Sequence, residues 1–149
     1  MISSNRDKIR DFQVESPLLP SPESAHSLDG GEFTSERRYS NLVLSNADLS
    51  GQSANNVVIE NASLTGVMMS DMKFNKFRIR DARFEKCDLS NAKWSKALLS
   101  RLELVGCRIT GLRLVDGKAL DLRFERCKGN SAQFTGTTFK DTRFEDCIF

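Results

Sequence analysis

Large apolar residues recur at every fifth position along most of this chain, each preceded two positions earlier by a small or apolar residue. The repeat is clearest between residues 82 and 96, where Phe84, Leu89 and Trp94 are the central residues. It continues without insertion or deletion from residue 37 to residue 149. A period of five fits neither the 3.6-residue repeat of a helix nor the two-residue repeat of a strand. It fits a chain that turns a corner after every five residues and directs one large side chain inward on each side.

Four such sides close a square coil of 20 residues, and stacked coils form a solenoid whose interior holds the central residues. The residue two positions after each centre is mostly Asn, Gly or Asp, as at Asn41, Gly51 and Asp81. These residues tolerate left-handed backbone or cap a turn with their own side chain. The sequence therefore predicts an all-β rod of about five and a half coils, roughly 27 Å long.

The central residues should form four inward columns that fill the interior of the rod. The predicted structural core contains Leu44, Leu64, Phe84, Trp94, Leu104, Phe124 and Phe134. Ala119 and Gly129 are small central residues of the same coil, so we expect that coil to be underfilled unless neighbours such as Phe139 lean into it.

The five-residue pattern resembles the pentapeptide-repeat family, whose consensus reads Ala-(Asp/Asn)-Leu-x-x. Residues 47–51, Ala-Asp-Leu-Ser-Gly, match it most literally, and the resemblance covers residues 37–149. It implies a right-handed quadrilateral β-helix. The best-characterised members of the family protect DNA gyrase from quinolones or toxins as acidic mimics of duplex DNA. The resemblance therefore implies a gyrase or topoisomerase modulator as one alternative function.

Residues 1–36 lie outside the repeat and form an N-terminal extension to the repeat domain, residues 37–149. All three prolines fall between residues 16 and 22, which favours extended chain. We expect residues 9–19 to cap the exposed first coil and residues 23–36 to form a loop, and we favour this over a protein-docking arm. With no run of 18 apolar residues and no apolar core of a signal peptide in residues 1–13, we expect a cytoplasmic protein without membrane contact.

Four cysteines are spaced by 20 residues and should form one column, one per coil: Cys87, Cys107, Cys127 and Cys147. A straight column with a spacing of about 4.8 Å cannot surround a tetrahedral ion with bonds of about 2.3 Å. The same spacing exceeds the separation of Cβ atoms, about 3.5–4.5 Å, that a disulfide needs. We therefore interpret the column as structural and predict no metal site.

Groups for catalysis are sparse in this sequence. His26 is the only histidine and lies outside the repeat, where nothing would hold it beside a nucleophile. No phosphate-binding Gly-Lys-Ser/Thr loop or dinucleotide-binding glycine motif is present. We expect no enzyme activity and no cofactor. The favoured function is a non-enzymatic protein–protein interaction scaffold, built as a rigid rod that engages an unknown protein partner.

Charge is divided unevenly along the chain. Residues 37–149 contain 19 Lys and Arg against 13 Asp and Glu, whereas residues 1–36 contain 3 against 7. A basic rod disfavours mimicry of DNA. One side concentrates cations at 20-residue spacing, and we take it as the candidate interaction face: Lys73, Lys76, Lys93, Lys96 and Arg113. It is either a solvated face that keeps the protein soluble or a site for an anionic partner. An acidic protein is favoured over nucleic acid, because no aromatic residues are interleaved there to stack on bases.

The last coil ends in closely spaced aromatic residues. Phe139, Phe144 and Phe149 are the candidate dimer end, since an uncovered apolar stack with open strand edges is a pairing surface. We expect a homodimer through this end of the rod.

Overall fold

The chain coils into a solenoid of stacked parallel strands. The computed structural model describes residues 15–21, 27–28 and 31–149. The strands are β1 (Arg38–Ser45), β2 (Ser53–Asn55), β3 (Val58–Thr65), β4 (Lys73–Asn75), β5 (Arg78–Glu85), β6 (Lys93–Ser95), β7 (Leu98–Val105), β8 (Arg113–Val115), β9 (Lys118–Glu125) and β10 (Thr138–Glu145). One sheet has the order β1-β3-β5-β7-β9-β10 and the other the order β2-β4-β6-β8. No helix in these ranges is long and apolar enough to cross a bilayer.

Every strand pairs with residues 20 positions away, as Phe84 does with Leu64 and Leu104. In the coil of residues 77–96, side 1 is 77–81, side 2 is 82–86, side 3 is 87–91 and side 4 is 92–96; the other coils follow by steps of 20. Each long strand bends at a corner and covers sides 1 and 2. The short strands cover side 4, and isolated bridges such as Met68–Asp88 join the coils on side 3. The predicted all-β solenoid fold is confirmed.

A left-handed residue turns the chain at every corner. The residue two positions after each centre has φ between 50° and 75° at all corners from residue 36 to residue 146. This is the region that Gly, Asn and Asp adopt most readily. Five corners nevertheless carry long cationic side chains: Lys76, Lys86, Lys96, Arg101 and Arg126.

The inward columns form one continuous core. Leu44, Leu64, Phe84, Trp94, Leu104 and Phe124 are buried as predicted. Phe134 differs, since it is only partly buried and packs edge-on against Phe139 with ring centroids 5.5 Å apart. The physical reason is that, within residues 31–149, no side-4 strand stacks over Phe134.

The coil that contains Gly129 is not underfilled there. A Cβ atom placed on Gly129 would lie 2.4 Å from Cγ1 of Ile109, the equivalent residue of the preceding coil. The side chain of Ile109 therefore occupies the space that the missing side chain leaves, so a neighbouring residue fills this position, and that residue is Ile109 rather than Phe139.

The start of the rod is covered by Phe33, which lies in the segment expected to be a loop. Phe33 is 6% exposed, and its ring packs edge-on against Tyr39 and Phe74 at 5.1 and 5.6 Å. Gln52, which breaks the apolar pattern two positions before a centre, accepts the backbone N–H of Phe33 at 3.0 Å and donates to the carbonyl of Gly31 at 3.0 Å. Among the described residues, Phe33 and Gln52 thus help to close the first coil, and Leu28 also packs against the core.

The predicted cap, residues 9–19, corresponds only in part to the described chain, because residues 9–14 lie outside it. Residues 15–19 do not cover the end of the rod. They lie along its side, where Glu15 and Leu18 donate backbone hydrogen bonds to Asp121 and Asp81. Leu18 remains 66% exposed, so it is not buried as a capping residue would be.

Candidate interaction surface

The first predicted column of cations lies on side 4. Lys73, Lys93 and Arg113 occupy equivalent positions of β4, β6 and β8, in register. Their side chains point outward because the next residue of each strand is buried in the core. Adjacent strands are about 4.8 Å apart, so three like charges are stacked in one ladder. Like charges directly opposite one another destabilise a sheet.

The second predicted column lies at the corner between side 4 and side 1. Lys76 and Lys96 hold φ values of 57° and 51° and are both exposed. A left-handed backbone costs most residues energy that Asn, Asp or Gly would largely avoid. Neither the turn nor the core therefore accounts for lysine at these two corners.

The basic region continues around the corner onto side 1, which the sequence analysis missed. Lys76 and Lys96 line a shallow groove together with Arg78 and Lys118. A second groove on side 1 is lined by cations and by the apolar side chains of Leu98 and Leu120. We call the whole region the basic surface; it comprises Lys73, Lys76, Arg78, Arg80, Lys93, Lys96, Arg113, Lys118 and Lys140. The signal was present in the sequence, because Lys73, Lys76, Arg78 and Arg80 follow one another across a single corner.

Most cations of the basic surface have no acidic partner. Of the nine cations of the basic surface, only Arg80 lies within 4.0 Å of a carboxylate of the described residues, with its Nε 3.8 Å from Asp81. Asp116 lies in the corner groove without forming an ion pair with any of them.

Side 2 has the opposite arrangement. Arg83 lies 3.7 Å from Glu103, and Arg123 lies 2.8 Å from Glu145. The Arg123 guanidinium holds the pKa of Glu145 below its usual value. Cations and carboxylates form ion pairs on side 2. Among the described residues, the two grooves of the basic surface contain more cations than carboxylates, which are Glu36, Glu60 and Asp116.

The cysteine column lies at the start of side 3. Cys87, Cys107 and Cys127 are buried, and Cys147 is partly buried. Each thiol points to carbonyls, as Sγ of Cys107 does to the carbonyl oxygens of Phe84 and Val105 at 3.3 and 3.6 Å. Hydrogen bonds with the neighbouring thiols, together with burial, raise the pKa of Cys107. No group of three or more potential metal ligands converges within the described residues.

The candidate dimer end is partly open to solvent. Phe139 is partly buried, whereas Phe144 and Phe149 are 43% and 56% exposed. Phe144 stacks on Phe124 with ring centroids 4.7 Å apart and meets Phe149 edge-on at 5.5 Å. Pairing through this end stays a prediction.

Comparison with known families decides the classification. A pentapeptide repeat region profile matches residues 77–148, and a profile of eight pentapeptide repeats matches residues 43–81. The chain belongs to the pentapeptide-repeat family. No curated protein sequence matches it significantly.

Solved pentapeptide-repeat structures are similar at low sequence identity. Rfr23 from the cyanobacterium Cyanothece 51142 is 20% identical with a TM-score of 0.38, over 79% of this chain and 63% of that one. QnrB1, a plasmid-mediated fluoroquinolone resistance protein, is 19% identical with a TM-score of 0.45, over 89% of this chain and 72% of that one. This chain therefore spans less than two thirds of the length of Rfr23.

Proposed function

We propose that this pentapeptide-repeat protein is a non-enzymatic interaction scaffold whose basic surface binds an acidic protein. The observation that carries the proposal is the separation of charge around the rod. Among the described residues, only Arg80 of the nine cations on sides 4 and 1 lies within 4.0 Å of a carboxylate, whereas side 2 contains several ion pairs. A rod that needed charge only for solubility would not have to segregate it in this way.

The positions of the cations strengthen this argument. Lys73, Lys93 and Arg113 repel one another along one ladder, and Lys76 and Lys96 occupy left-handed corners. Both arrangements cost stability in the free protein. An anionic partner would relieve the repulsion, because its carboxylates would supply the missing countercharges. Backbone strain retained at such positions is typical of functional sites.

The surroundings of the cations favour a protein over a nucleic acid. Leu98 and Leu120 are exposed among the cations of side 1. Phe74, Phe77 and Trp94, the aromatic residues beneath this region, are buried and cannot stack on bases. Apolar contacts surrounded by charge suit an acidic protein surface, whereas single-stranded nucleic acid is commonly bound on exposed aromatic rings.

Capture with matched variants tests the proposal. Lys73, Lys93 and Arg113 are changed together to Glu, and the control changes to Glu three exposed cations outside the basic surface, Lys86, Arg108 and Lys128, on side 3 and at its corner with side 2. Both variants undergo the same change in net charge. We expect the unmodified chain and the control to capture a protein partner even after nuclease treatment. The variant with Lys73, Lys93 and Arg113 changed to Glu should fail to capture it. Capture that nuclease abolishes, or equal loss in both variants, would contradict the proposal.

The alternative implied by the family, modulation of DNA gyrase through mimicry of DNA, would require an acidic rod. The basic surface disfavours it. A supercoiling assay with purified protein is the direct check, and we expect no inhibition or protection at stoichiometric concentration.

A further inference from the structure

An N-terminal segment, residues 15–20, lies along the corner between side 1 and side 2. The backbone N–H of Glu15 donates to Oδ1 of Asp121 at 3.3 Å, and that of Leu18 donates to Oδ1 of Asp81 at 3.1 Å. Asp81 and Asp121 are corner residues two coils apart. The segment therefore runs parallel to the rod axis and is held by side chains of the corner column.

Arg101, the corner residue of the coil between them, organises the column. Its Nε and Nη2 atoms donate to the two carboxylate oxygens of Asp81 at 2.5 and 2.8 Å, and its Nη1 atom lies 3.9 Å from Oε2 of Glu15. Asp81 and Asp121 are only 4% and 8% exposed. The guanidinium, assisted by the Leu18 amide, holds the pKa of Asp81 below its usual value, so the acceptor stays ionised at neutral pH.

The spacing of these contacts matches a polyproline II helix. Such a helix has three residues per turn and rises about 3.1 Å per residue, so one turn covers about 9.3 Å. Two coils at about 4.7–4.9 Å each cover about 9.4–9.8 Å. In a β-strand, equivalent N–H groups recur after two residues, about 6.6–6.8 Å, which fits neither one coil nor two.

Burial along the segment has the same period of three. Pro17 and Pro20 are half-buried against the rod, whereas Leu18 and Leu19 between them are exposed. Proline fixes φ near −65°, so these two residues favour the polyproline II conformation that the column accepts. The contacts are made by backbone amides, by the two prolines and by the carboxylate of Glu15. The side chains of Leu18 and Leu19 take no part in them.

We propose that the corner column of Asp81, Arg101 and Asp121 is a recognition site for a proline-rich segment with the pattern Glu-x-Pro-x-x-Pro on a partner protein. The chain's own residues 15–20 carry this pattern and occupy the site in cis. Tethering gives this segment a high effective concentration, so it acts as a gate that a partner must displace. The site lies across side 1 from Lys76 and Lys96, and the inference does not rest on the basic surface.

The test uses the full chain and a synthetic peptide with the sequence of residues 14–21. Leu18→Pro removes the N–H group that donates to Asp81 but is compatible with a polyproline II backbone. It should therefore weaken the binding of residues 15–20 in cis and free the site for the peptide. Leu19→Pro is the matched control, because residue 19 makes neither of the two amide contacts. We expect the peptide to bind the Leu18→Pro chain about tenfold or more tightly than the Leu19→Pro chain, since a hydrogen bond to a charged group has been lost in cis. Amide shifts in NMR spectra should centre on Asp81, Arg101 and Asp121.

One further chain variant and one further peptide test the same site. Asp121→Ala in the Leu18→Pro chain, and a peptide with both prolines changed to alanine, should each weaken binding. Equal affinity of the two chains, equal binding of the alanine peptide, or shifts confined to other sides would overturn the proposal. Dimers of the Leu19→Pro chain that exchange residues 15–20 between copies would assign the site to a second copy instead of a partner.

Discussion

At the scale of single residues, the corners determine where this solenoid is strained. All corners adopt left-handed backbone, and most are occupied by the residue types that tolerate it. Arg101 at such a corner has a structural role, because it pairs with Asp81. Lys76, Lys86 and Lys96 have no ion pair within the described ranges, and of these three corner lysines only Lys76 and Lys96 belong to the basic surface.

Replacing Lys96 with Asn should therefore raise the free energy of unfolding by about 1 kcal/mol, because Asn adopts positive φ more readily than Lys. Lys93→Asn is the matched control, since it removes the same charge from an ordinary strand position. Chemical denaturation by urea in high salt isolates the backbone effect by screening charge. Equal stability of the two variants would contradict the strain at this corner.

Gly129 makes a second residue-scale prediction. Gly129→Ala should lower the free energy of unfolding by about 1–3 kcal/mol, because the new methyl group would overlap the side chain of Ile109. Combining it with Ile109→Ala should cost less than the sum of the two single changes, as a double-mutant cycle would reveal. Full additivity would mean that Ile109 does not fill this space.

At the scale of strands, the ladders are the unit of surface energetics. Parallel, in-register stacking places each outward residue against its equivalent in the next coil. On side 2 the ladder Arg83, Glu103, Arg123 alternates in sign, whereas on side 4 the ladder Lys73, Lys93, Arg113 does not. The same architecture therefore supports a self-neutralised face and a repulsive one.

Lys93→Glu should convert the side-4 ladder to alternating sign and raise the free energy of unfolding by about 0.2–1 kcal/mol. This gain in stability should shrink as salt is added, because salt screens the interaction of residue 93 with Lys73 and Arg113 at the protein surface. Glu103→Lys on side 2 is the mirror-image control and should be destabilising. Thermal denaturation of both variants at two salt concentrations is the measurement; a loss of stability for Lys93→Glu would show that the ladder is not repulsive.

Features of the structure that repeat from coil to coil could be predicted from the sequence, whereas features that occur once could not. A strict period of five determined the coil, the register and the columns, because every repeat restates the same geometry. The cap could not be read in this way, since Phe33 and Gln52 act through contacts that occur once and lie partly outside the repeat. The 20-residue spacing predicts only part of the basic surface, because it relates residues of one side and does not relate them to Arg78 and Lys118 across the corner. Contacts of residues 15–20 with Asp81 and Asp121 carry no periodic signal at all.

At the scale of the whole molecule, a net charge of only +2 conceals a segregated surface. In the described part of the chain, most cations of sides 4 and 1 have no ion pair, side 2 carries several ion pairs, and residues 15–20 occupy the corner between sides 1 and 2. Lys86, Arg108 and Lys128 at side 3 also have no ion pair there. A rigid solenoid keeps these surfaces at fixed positions around one axis. The two proposed binding sites therefore lie on different sides of the same rod.

The most direct test of the basic surface is its affinity for a defined polyanion as a function of salt. Fluorescence anisotropy with a labelled polyglutamate peptide compares the unmodified chain, the variant with Lys73, Lys93 and Arg113 changed to Glu, and the control with Lys86, Arg108 and Lys128 changed to Glu. We expect the unmodified chain and the control to bind, with affinity that falls steeply between 50 and 200 mM salt. The first variant should lose at least about tenfold in affinity, equivalent to about 1.4 kcal/mol. Equal affinities for the two variants would contradict the claim that this surface is the binding site.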